Sequence, residues 1–291
     1  MEHPPRALRP NAAARRRLAA TAGLLLALTS GGAEARPLDK VKESGVLVVS
    51  VYRDFAPWAF VENGEPKGID VDLGKLLAEA VGVRAEFMIR PADEDVDGDL
   101  RANVWRGDVV EHKRADVMMH VPVDHDLAMR NDMAVICCGY GQERMGIAYD
   151  PEAVPVKSFA AFRSRRVAVE GDTTADIWLS AAFNGILGPN IDRGRTFAVA
   201  MENYHSGRDT ALVAPRAQLE WAAKAGGRRT VVEEWPMPGI VKSSWPICIA
   251  VRFDSRDLGH ALDGALEEAR ADGRVAAIHA AYGVTWLPPQ D

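Results

Sequence analysis

The acidic segment Asp93–Asp99 carries the residue types that a hard metal ion binds. Five of its seven residues are acids, the carboxylates alternate, and a glycine stands in sixth place, as in the first half of a calcium loop. The twelfth place of such a loop is Val104 here instead of a bidentate glutamate, which excludes a complete EF-hand. The segment favours a solvated loop that caps the next helix, with a calcium or trivalent lanthanide site as the alternative. The predicted metal ligands are Asp93, Asp95, Asp97 and Asp99.

The loop Gly171-Asp172-Thr173-Thr174 directly precedes a predicted helix. Free N–H groups and the positive end of the helix dipole suit an anion at such a position. The carboxylate of Asp172 would repel an anionic ligand, so a plain capped helix is the alternative. We count all four residues as candidate ligand-binding residues.

Aromatic and polar side chains that follow two predicted strands are further ligand-binding candidates. Aromatic rings after the first strand either clamp the apolar faces of a ligand or belong to the core. Imidazoles at the end of the third predicted strand and in the loop after it either contact a ligand or serve in packing and hydrogen bonding, and a carboxylate there offers oxygen ligands. The candidates are Tyr52, Phe55 and Trp58 in the first segment and His120, Asp124 and His125 in the second.

Alternating strands and helices must position these segments. The continuous apolar run Val46–Val51 predicts a strand that is covered on both faces. Helical spacing of apolar residues predicts a helix from an N-cap at Asp70 to Gly82, and strands follow over 84–89 and 115–121. This βαβαβ order is typical of a parallel sheet covered by helices.

A second α/β unit follows, and the chain then returns to the first. The second unit has predicted strands over 166–170, 196–200 and 210–214, and a final strand over 247–253 leads into two helices. Two crossings make a two-stranded hinge, with ligands bound in the cleft between two mostly parallel lobes. The predicted division is lobe 1 over 36–140 and 245–291, and lobe 2 over 141–244.

The first 35 residues have the pattern of a cleaved secretory signal. Three arginines, Arg15 to Arg17, precede a short apolar run over 18–28, and Ala33-Glu34-Ala35 offers a cleavage site. The apolar run is shorter than the roughly 20 residues of a spanning helix. We therefore expect export to the periplasm and a mature chain that starts near Arg36.

The charge balance excludes one class of partner. The chain has a net charge of −6, and residues 1–35 hold five arginines against two glutamates, so the remainder carries −9. Nucleic-acid binding depends on Lys and Arg that neutralise phosphates. We expect a monomer that binds no nucleic acid.

Three cysteines make the pairing ambiguous. Cys137 and Cys138 are adjacent, and Cys248 lies far along the chain. In an oxidising compartment one of the pair could bridge to Cys248 and leave one free thiol. Buried free thiols are the alternative, since free Cys packs as a small hydrophobe.

Several segments together resemble the periplasmic solute-binding proteins of ABC transporters, of the polar-amino-acid type. They are the run Gly68–Leu73 after the aromatic loop, the strand ends Ala115–Met118 and Val167–Thr174, and the terminal stretch Leu266–Tyr282. The resemblance implies two hinged lobes that close on a small solute and deliver it to a membrane permease.

The sequence departs from that family where the family binds an amino acid. The segment His120–His125 lacks the arginine that pairs with the ligand carboxylate, and Ala214 replaces the aspartate for the ammonium group. An ordinary α-amino acid would leave both of its charges unpaired. We therefore expect another small ligand, with a calcium or lanthanide ion or its complex among the candidates.

The altered pattern is similar to the MxaJ/XoxJ group, the accessory proteins of pyrroloquinoline-quinone (PQQ) methanol dehydrogenases. Arg130-Asn131-Asp132 and the segment Gly139–Arg144 carry this similarity. It implies a PQQ-dependent methanol dehydrogenase as the alternative partner, and such enzymes use calcium or lanthanide ions. The same fold also hosts cyclohexadienyl dehydratases, for which Glu170 would be the general acid, but we expect no enzymatic activity.

Overall fold

The computed structural model describes residues 36–110 and 112–290. The predicted signal segment and its cleavage site lie outside these residues. The described chain is an α/β protein of two lobes, which confirms the predicted fold. Within the described ranges no helix combines the length and apolar character that a bilayer crossing needs.

The first lobe starts with a βαβ pattern that follows the apolar periodicity of the sequence. Strand β1 pairs in parallel with β5 on one side and with β6 on the other. The elements are α1 (Leu38–Ser44), β1 (Val46–Tyr52), β2 (Asp54–Phe55), β3 (Ala59–Glu62), β4 (Glu65–Lys67), α2 (Ile69–Ala80), β5 (Arg84–Arg90), α3 (Val96–Leu100), β6 (Val117–Pro122) and α4 (His125–Arg130).

The second lobe lies between two long strands, and the chain then returns to the first lobe. The remaining elements are β7 (Ala134–Tyr149), β8 (Val167–Glu170), α5 (Thr174–Ala181), β9 (Ile191–Gly194), α6 (Phe197–His205), β10 (Ala211–Pro215), α7 (Arg216–Ala225), β11 (Val231–Glu233), β12 (Ser244–Arg252), α8 (Arg256–Ala271) and α9 (Arg274–Ala281). Helices α8 and α9 pack on the first lobe with α2.

One hydrogen-bonded sheet runs through both lobes. Its strand order is β5-β1-β6-β12-β7-β10-β8-β9, with β11 paired to β7. The part of β7 up to Arg144 pairs with β12, whereas the part from Met145 onward pairs with β10 and β11. The predicted lobe boundaries at 140/141 and 244/245 fall inside β7 and β12, and the residue-level division stays a prediction.

Each lobe has its own apolar core. In the first lobe, α2 and α8 cover the sheet with fully buried leucines such as Leu73, Leu77 and Leu262. In the second, aromatic residues such as Phe159 and Phe162 pack against β8 and β10. Burial of a Leu or Phe side chain contributes about 1.5–3 kcal/mol, so each lobe has its own source of stability.

The run Gly68–Leu73 forms the start of α2, and the helix begins two residues earlier than predicted. Gly68 is the N-cap with a φ of 127°, and a Cβ there would lie 2.2 Å from the Trp58 carbonyl oxygen. Asp70 is therefore not the N-cap, and the prediction was wrong. Its carboxylate is buried in the first turn, where it accepts a hydrogen bond of 2.7 Å from the Tyr140 hydroxyl.

The strand predicted over 196–200 was also wrong. This stretch is the start of α6, where the Thr196 hydroxyl accepts the Val199 N–H at the N-cap. The buried residues of α6 are Phe197, Ala200 and Tyr204, whose spacing is helical. The strand of this unit is instead β9, a short polar segment that pairs in parallel with β8 at the edge of the sheet.

Replacement of Gly68 tests the close approach at the start of α2. We expect Gly68→Ala to lower the free energy of unfolding by about 3 kcal/mol or more, because the new Cβ meets backbone that cannot move aside. Gly64→Ala is the matched control, since Gly64 also has a positive φ of 84° but open space around it. This variant should lose about 1 kcal/mol. Urea denaturation measures both, and equal losses would contradict the packing explanation.

Candidate functional site

A cleft separates the lobes at the carboxyl ends of several strands. It contains an outer cavity of about 420 Å³ and an inner cavity of about 170 Å³, and Thr174 and Trp245 line both. Polar contacts cross it: for example, the Lys242 ammonium lies 2.9 Å from the Asp124 carboxylate, and the Gln218 amide donates to the Ala56 carbonyl at 3.5 Å. This is the position at which α/β proteins bind small ligands.

The inner cavity is mostly apolar, with a few polar groups. The second lobe supplies the ends of β8 and β10 and the first turn of α5, and the first lobe supplies an aromatic ring of β2. The lining residues are Phe55, Met145, Glu170, Thr173, Thr174, Ala175, Val213, Ala214, Pro215, Gln218 and Trp245. Apolar walls with a few convergent polar groups are typical of small-molecule sites.

Glu170 is the acidic group of the inner cavity. It is the last residue of β8, and its side chain is half-buried. Burial raises the pKa of Glu170, while a hydrogen bond from the Phe197 backbone N–H acts in the opposite direction. Among the described residues it has no ion-pair partner, so a cationic group or a hydrogen-bond donor of a ligand would satisfy it.

Several groups of the Gly171–Thr174 loop are already engaged in hydrogen bonds within the protein. Thr173 caps the helix: its hydroxyl donates to the Glu170 carbonyl at 2.8 Å and accepts the Asp176 N–H. The Asp176 carboxylate accepts the Asp172 N–H at 3.2 Å and pairs with Arg193 at 2.8 Å. Gly171 donates its N–H to the carbonyl of Gly194 in the sheet. Thr173 and Thr174 line the inner cavity.

In the outer cavity, cationic side chains are already paired with carboxylates. Arg130 lies 3.1 Å from Asp97, and Lys242 pairs with Asp124, which also caps α4 by accepting the Leu127 N–H at 3.0 Å. The Arg130 hydrogen bond lowers the pKa of Asp97. The Leu127 N–H, followed by Lys242, lowers that of Asp124. These pairs leave neither cation free for a ligand carboxylate.

The acidic loop Asp93–Asp99 does not gather its carboxylates around one point. Asp95 caps α3, Asp97 binds the side chains of Arg130 and Asn131, and Asp99 accepts the Tyr52 hydroxyl at 2.7 Å. Asp93 faces Arg101 instead. Across residues 36–110 and 112–290, no three His, Cys, Asp or Glu side chains form a group that could hold a metal ion. The arrangement therefore corresponds to the capped-loop interpretation.

The structure places the three aromatic candidates in different surroundings. Phe55 lines the inner cavity. Tyr52 packs edge-on against Phe55 and binds Asp99. Trp58 is only 2% exposed, belongs to the core, and donates its indole N–H to the Glu143 carboxylate at 2.8 Å. Phe55 alone among the three therefore reaches the inner cavity.

The two histidine candidates also lie in different surroundings. His120 is 8% exposed, packs against the rings of Phe55 and Trp58, and lies 3.3 Å from the Asp70 carboxylate. The backbone N–H of His120 donates to the Tyr140 hydroxyl at 3.0 Å. His125 is exposed at the start of α4. His120 thus supports the aromatic wall of the cleft from behind, and His125 takes no part in it.

Sequence reasoning missed the buried polar group behind this wall. Tyr140 and Glu143 of β7 reach Asp70 and Trp58 of the first lobe, so the hinge strand is tied to α2 and to the aromatic loop. Desolvation raises the pKa of Glu143 to about 7. The signal in the sequence is Asp70, a carboxylate within an apolar helix face.

The fold and cleft are those of a solute-binding protein, and the comparison with families agrees. Residues 47–285 match the model of the bacterial extracellular solute-binding proteins, family 3. The chain belongs to this family.

Individual relatives are distant. The L-cystine-binding protein TcyJ of Escherichia coli K12 is 24% identical over 246 residues, which cover 83% of this chain and 84% of that protein. The cyclohexadienyl dehydratase of Pseudomonas aeruginosa is 41% identical over 61 residues, or 21% of this chain and 23% of that enzyme.

Solved structures show the same fold. The ancestral cationic amino acid solute-binding protein AncCDT-1 superposes with a TM-score of 0.66 at 24% identity, covering 84% of this chain and 99% of that one. The solute receptor for L-cysteine of Neisseria gonorrhoeae gives a TM-score of 0.57 at 20% identity, covering 85% and 93%.

The buried Glu143 predicts a pH-dependent stability. Its pKa in the folded protein is about 7, above the ordinary value of 4.5, so the folded state binds this proton more tightly than the unfolded state. The contribution is fully present below about pH 4.5 and is lost as the pH rises to 7. The loss is on the order of 3 kcal/mol. We expect Glu143→Gln, which keeps the Trp58 hydrogen bond, to remove this part of the pH dependence.

Urea denaturation of both proteins between pH 4.5 and 8 measures the effect as a difference curve. The exposed Glu65→Gln serves as a matched control that should follow the wild type at every pH. Parallel curves for the wild type and Glu143→Gln would contradict the assignment.

Proposed function

We propose that this chain is the exported solute-binding component of an ABC-type uptake system, which closes on a small organic solute and presents it to a membrane permease. The inner cavity between the lobes is the observation that carries this proposal, because side chains of both lobes line it. A ligand there would be enclosed by closure of the lobes and released when they separate. Periplasmic localisation and cleavage near Ala35 belong to the same proposal.

The ligand we propose is not an ordinary α-amino acid. The two cations of the outer cavity pair with Asp97 and Asp124, and Ala214 lines the inner cavity where an aspartate would hold an ammonium group. A ligand carboxylate would be desolvated without a cationic partner. This distinguishes the chain from TcyJ, whose name states that it binds L-cystine.

A small organic cation with an apolar body suits the cavity better. The Glu170 carboxylate offers it charge, the rings of Phe55 and Trp245 offer apolar and cation–π contact, and the Gln218 amide offers a hydrogen bond. A calcium or lanthanide ion is a weaker candidate, since it needs several converging oxygen ligands and the acidic loop does not provide them.

Isothermal titration calorimetry on refolded, ligand-free mature protein tests the proposal. The panel should hold small alkyl and aryl amines, guanidines, L-cystine, L-arginine, calcium and lanthanum. Binding of an amine or guanidine supports the proposed ligand class. Binding of L-cystine or L-arginine keeps the solute-binding function but overturns the exclusion of amino acids. If none of these compounds binds, the result would count against a solute receptor.

Glu170→Gln tests the role of the carboxylate. We expect the affinity for a cationic ligand to fall at least about tenfold, which corresponds to about 1.4 kcal/mol of lost charge interaction. Calorimetry with the same ligand measures it. Glu202→Gln, an exposed carboxylate on α6 outside the cavity, is the matched control and should bind as the wild type does. Unchanged affinity in Glu170→Gln would refute the charge contact.

A second candidate function is an accessory of a PQQ-dependent methanol dehydrogenase. The observation that favours it is that Arg130 and Asn131, two of the residues that carry the MxaJ/XoxJ similarity, both bind Asp97 at the rim of the outer cavity. This cluster would form a docking surface on the first lobe. Co-purification with a dehydrogenase would support this function, and full dehydrogenase activity in a deletion strain would remove it.

Catalysis is not part of the proposal, and the same carboxylate allows a direct check. Glu170 is half-buried beside the cavity with a raised pKa, as a general acid requires. Assays with prephenate and arogenate on the wild type and on Glu170→Gln decide the matter. Turnover that the substitution abolishes would make the chain an enzyme.

A further inference from the structure

An irregularity in the hinge strand turns two adjacent cysteines toward the same side. Neighbouring residues of a regular strand point to opposite faces. In β7, however, Gly141 pairs with Ile247 and Cys137 pairs with Ile249, so the single residue Cys248 of β12 faces three residues of β7. Cys138 has a φ of 65°, in the left-handed region. The bulge breaks the alternation at this point.

Both thiols lie against the same glycine of α8. The Cys138 sulfur is 3.5 Å from the Gly259 carbonyl oxygen, and a Cβ at Gly259 would lie 3.7 Å from the Cys137 sulfur. The two cysteines also line one cavity of about 170 Å³, together with Arg256 and His260. Gly259, which has no side chain, therefore leaves room for both sulfur atoms on this side of β7.

The three cysteine thiols differ in exposure and in pKa. All three cysteines are free, and Cys137 is half-buried whereas Cys138 and Cys248 are buried. The thiol hydrogen bond from Cys138 lowers the pKa of Cys137. Burial raises the pKa of Cys248 to about 12. Since the thiolate is the nucleophile, Cys137 is the sulfur that reacts first.

We propose that Cys137 and Cys138 form a reversible redox site, in which a low-molecular-weight disulfide compound oxidises the two thiols to a Cys137–Cys138 disulfide. The Cys137 thiolate attacks one sulfur of that compound, forms a mixed disulfide and releases one thiolate. The Cys138 sulfur then attacks the Cys137 sulfur, and the second thiolate leaves with the proton of Cys138. The protein dithiol is oxidised, and the disulfide compound is reduced to two thiols.

A disulfide between adjacent residues is easily reduced. Adjacent Cα atoms are about 3.8 Å apart across a trans peptide, whereas disulfides usually join Cα atoms about 4.4–6.8 Å apart. The resulting strain favours the reduced form, which is typical of labile rather than structural disulfides. The site would thus change between dithiol and disulfide with the redox state of the compartment. The disulfide would not be a structural one that stabilises the fold.

Incubation of the mature protein with oxidised glutathione, followed by mass spectrometry, tests the site. We expect the peptide that contains residues 137 and 138 to lose two hydrogen atoms, and alkylatable thiols to fall from three to one. Reduction with dithiothreitol should restore all three. A disulfide to Cys248, a lasting glutathione adduct at Cys137, or no reaction at all would each overturn the proposal.

Variants separate the two sulfur atoms. Cys138→Ala should stop at the mixed disulfide and accumulate glutathione on Cys137, whereas Cys248→Ala should close the ring as the wild type does. Thermal unfolding followed by circular dichroism shows that each variant is folded before oxidation. Ring closure at the wild-type rate in denaturant would show that adjacency alone suffices, and would overturn the role of the bulge and of Gly259.

Discussion

The pairing of β7 with β12 is the constraint on which the rest of the structure depends. These antiparallel strands belong to one sheet that continues through both lobes, so neither lobe can be placed without the other. β7 changes partners between Arg144 and Met145, and the cleft opens beside that point. The buried contacts of Tyr140 and Glu143 attach the first part of β7 to α2 and to the aromatic loop. The hinge is therefore rigid on the side of the first lobe.

Charge pairing decides which groups remain for a ligand. Arg130 and Lys242, the cations of the outer cavity, pair with Asp97 and Asp124. The Asp176 carboxylate accepts the Asp172 N–H in the loop before α5. The half-buried Glu170 is left facing an apolar cavity. The family membership defines the kind of protein. This distribution of charge is the reason why we propose a ligand other than an α-amino acid.

Much of the fold could be predicted from the sequence because it follows from local patterns. The apolar run of β1, the helical spacing of α2 and the return of the chain after Ser244 all appear in hydrophobic periodicity. The site was less predictable, since tertiary partners decide it. Trp58 turned inward because Glu143, 85 positions away, accepts its indole N–H. The carboxylates of the acidic loop point to different partners, because Tyr52 binds Asp99 whereas Arg130 and Asn131 bind Asp97. The spacing of acids within the loop does not reveal these partners.

The position of β12 also sets the order in which the molecule can assemble. β12 lies between β6 and β7, so the sheet of the first lobe is incomplete until nearly the whole polypeptide has emerged. The second lobe is a contiguous stretch with shorter loops to close, which favours its earlier formation. In a chain that emerges amino end first, the first lobe would therefore stay incomplete while the second lobe folds. The pairing of β12 with β6 and β7 would then complete the sheet of the first lobe.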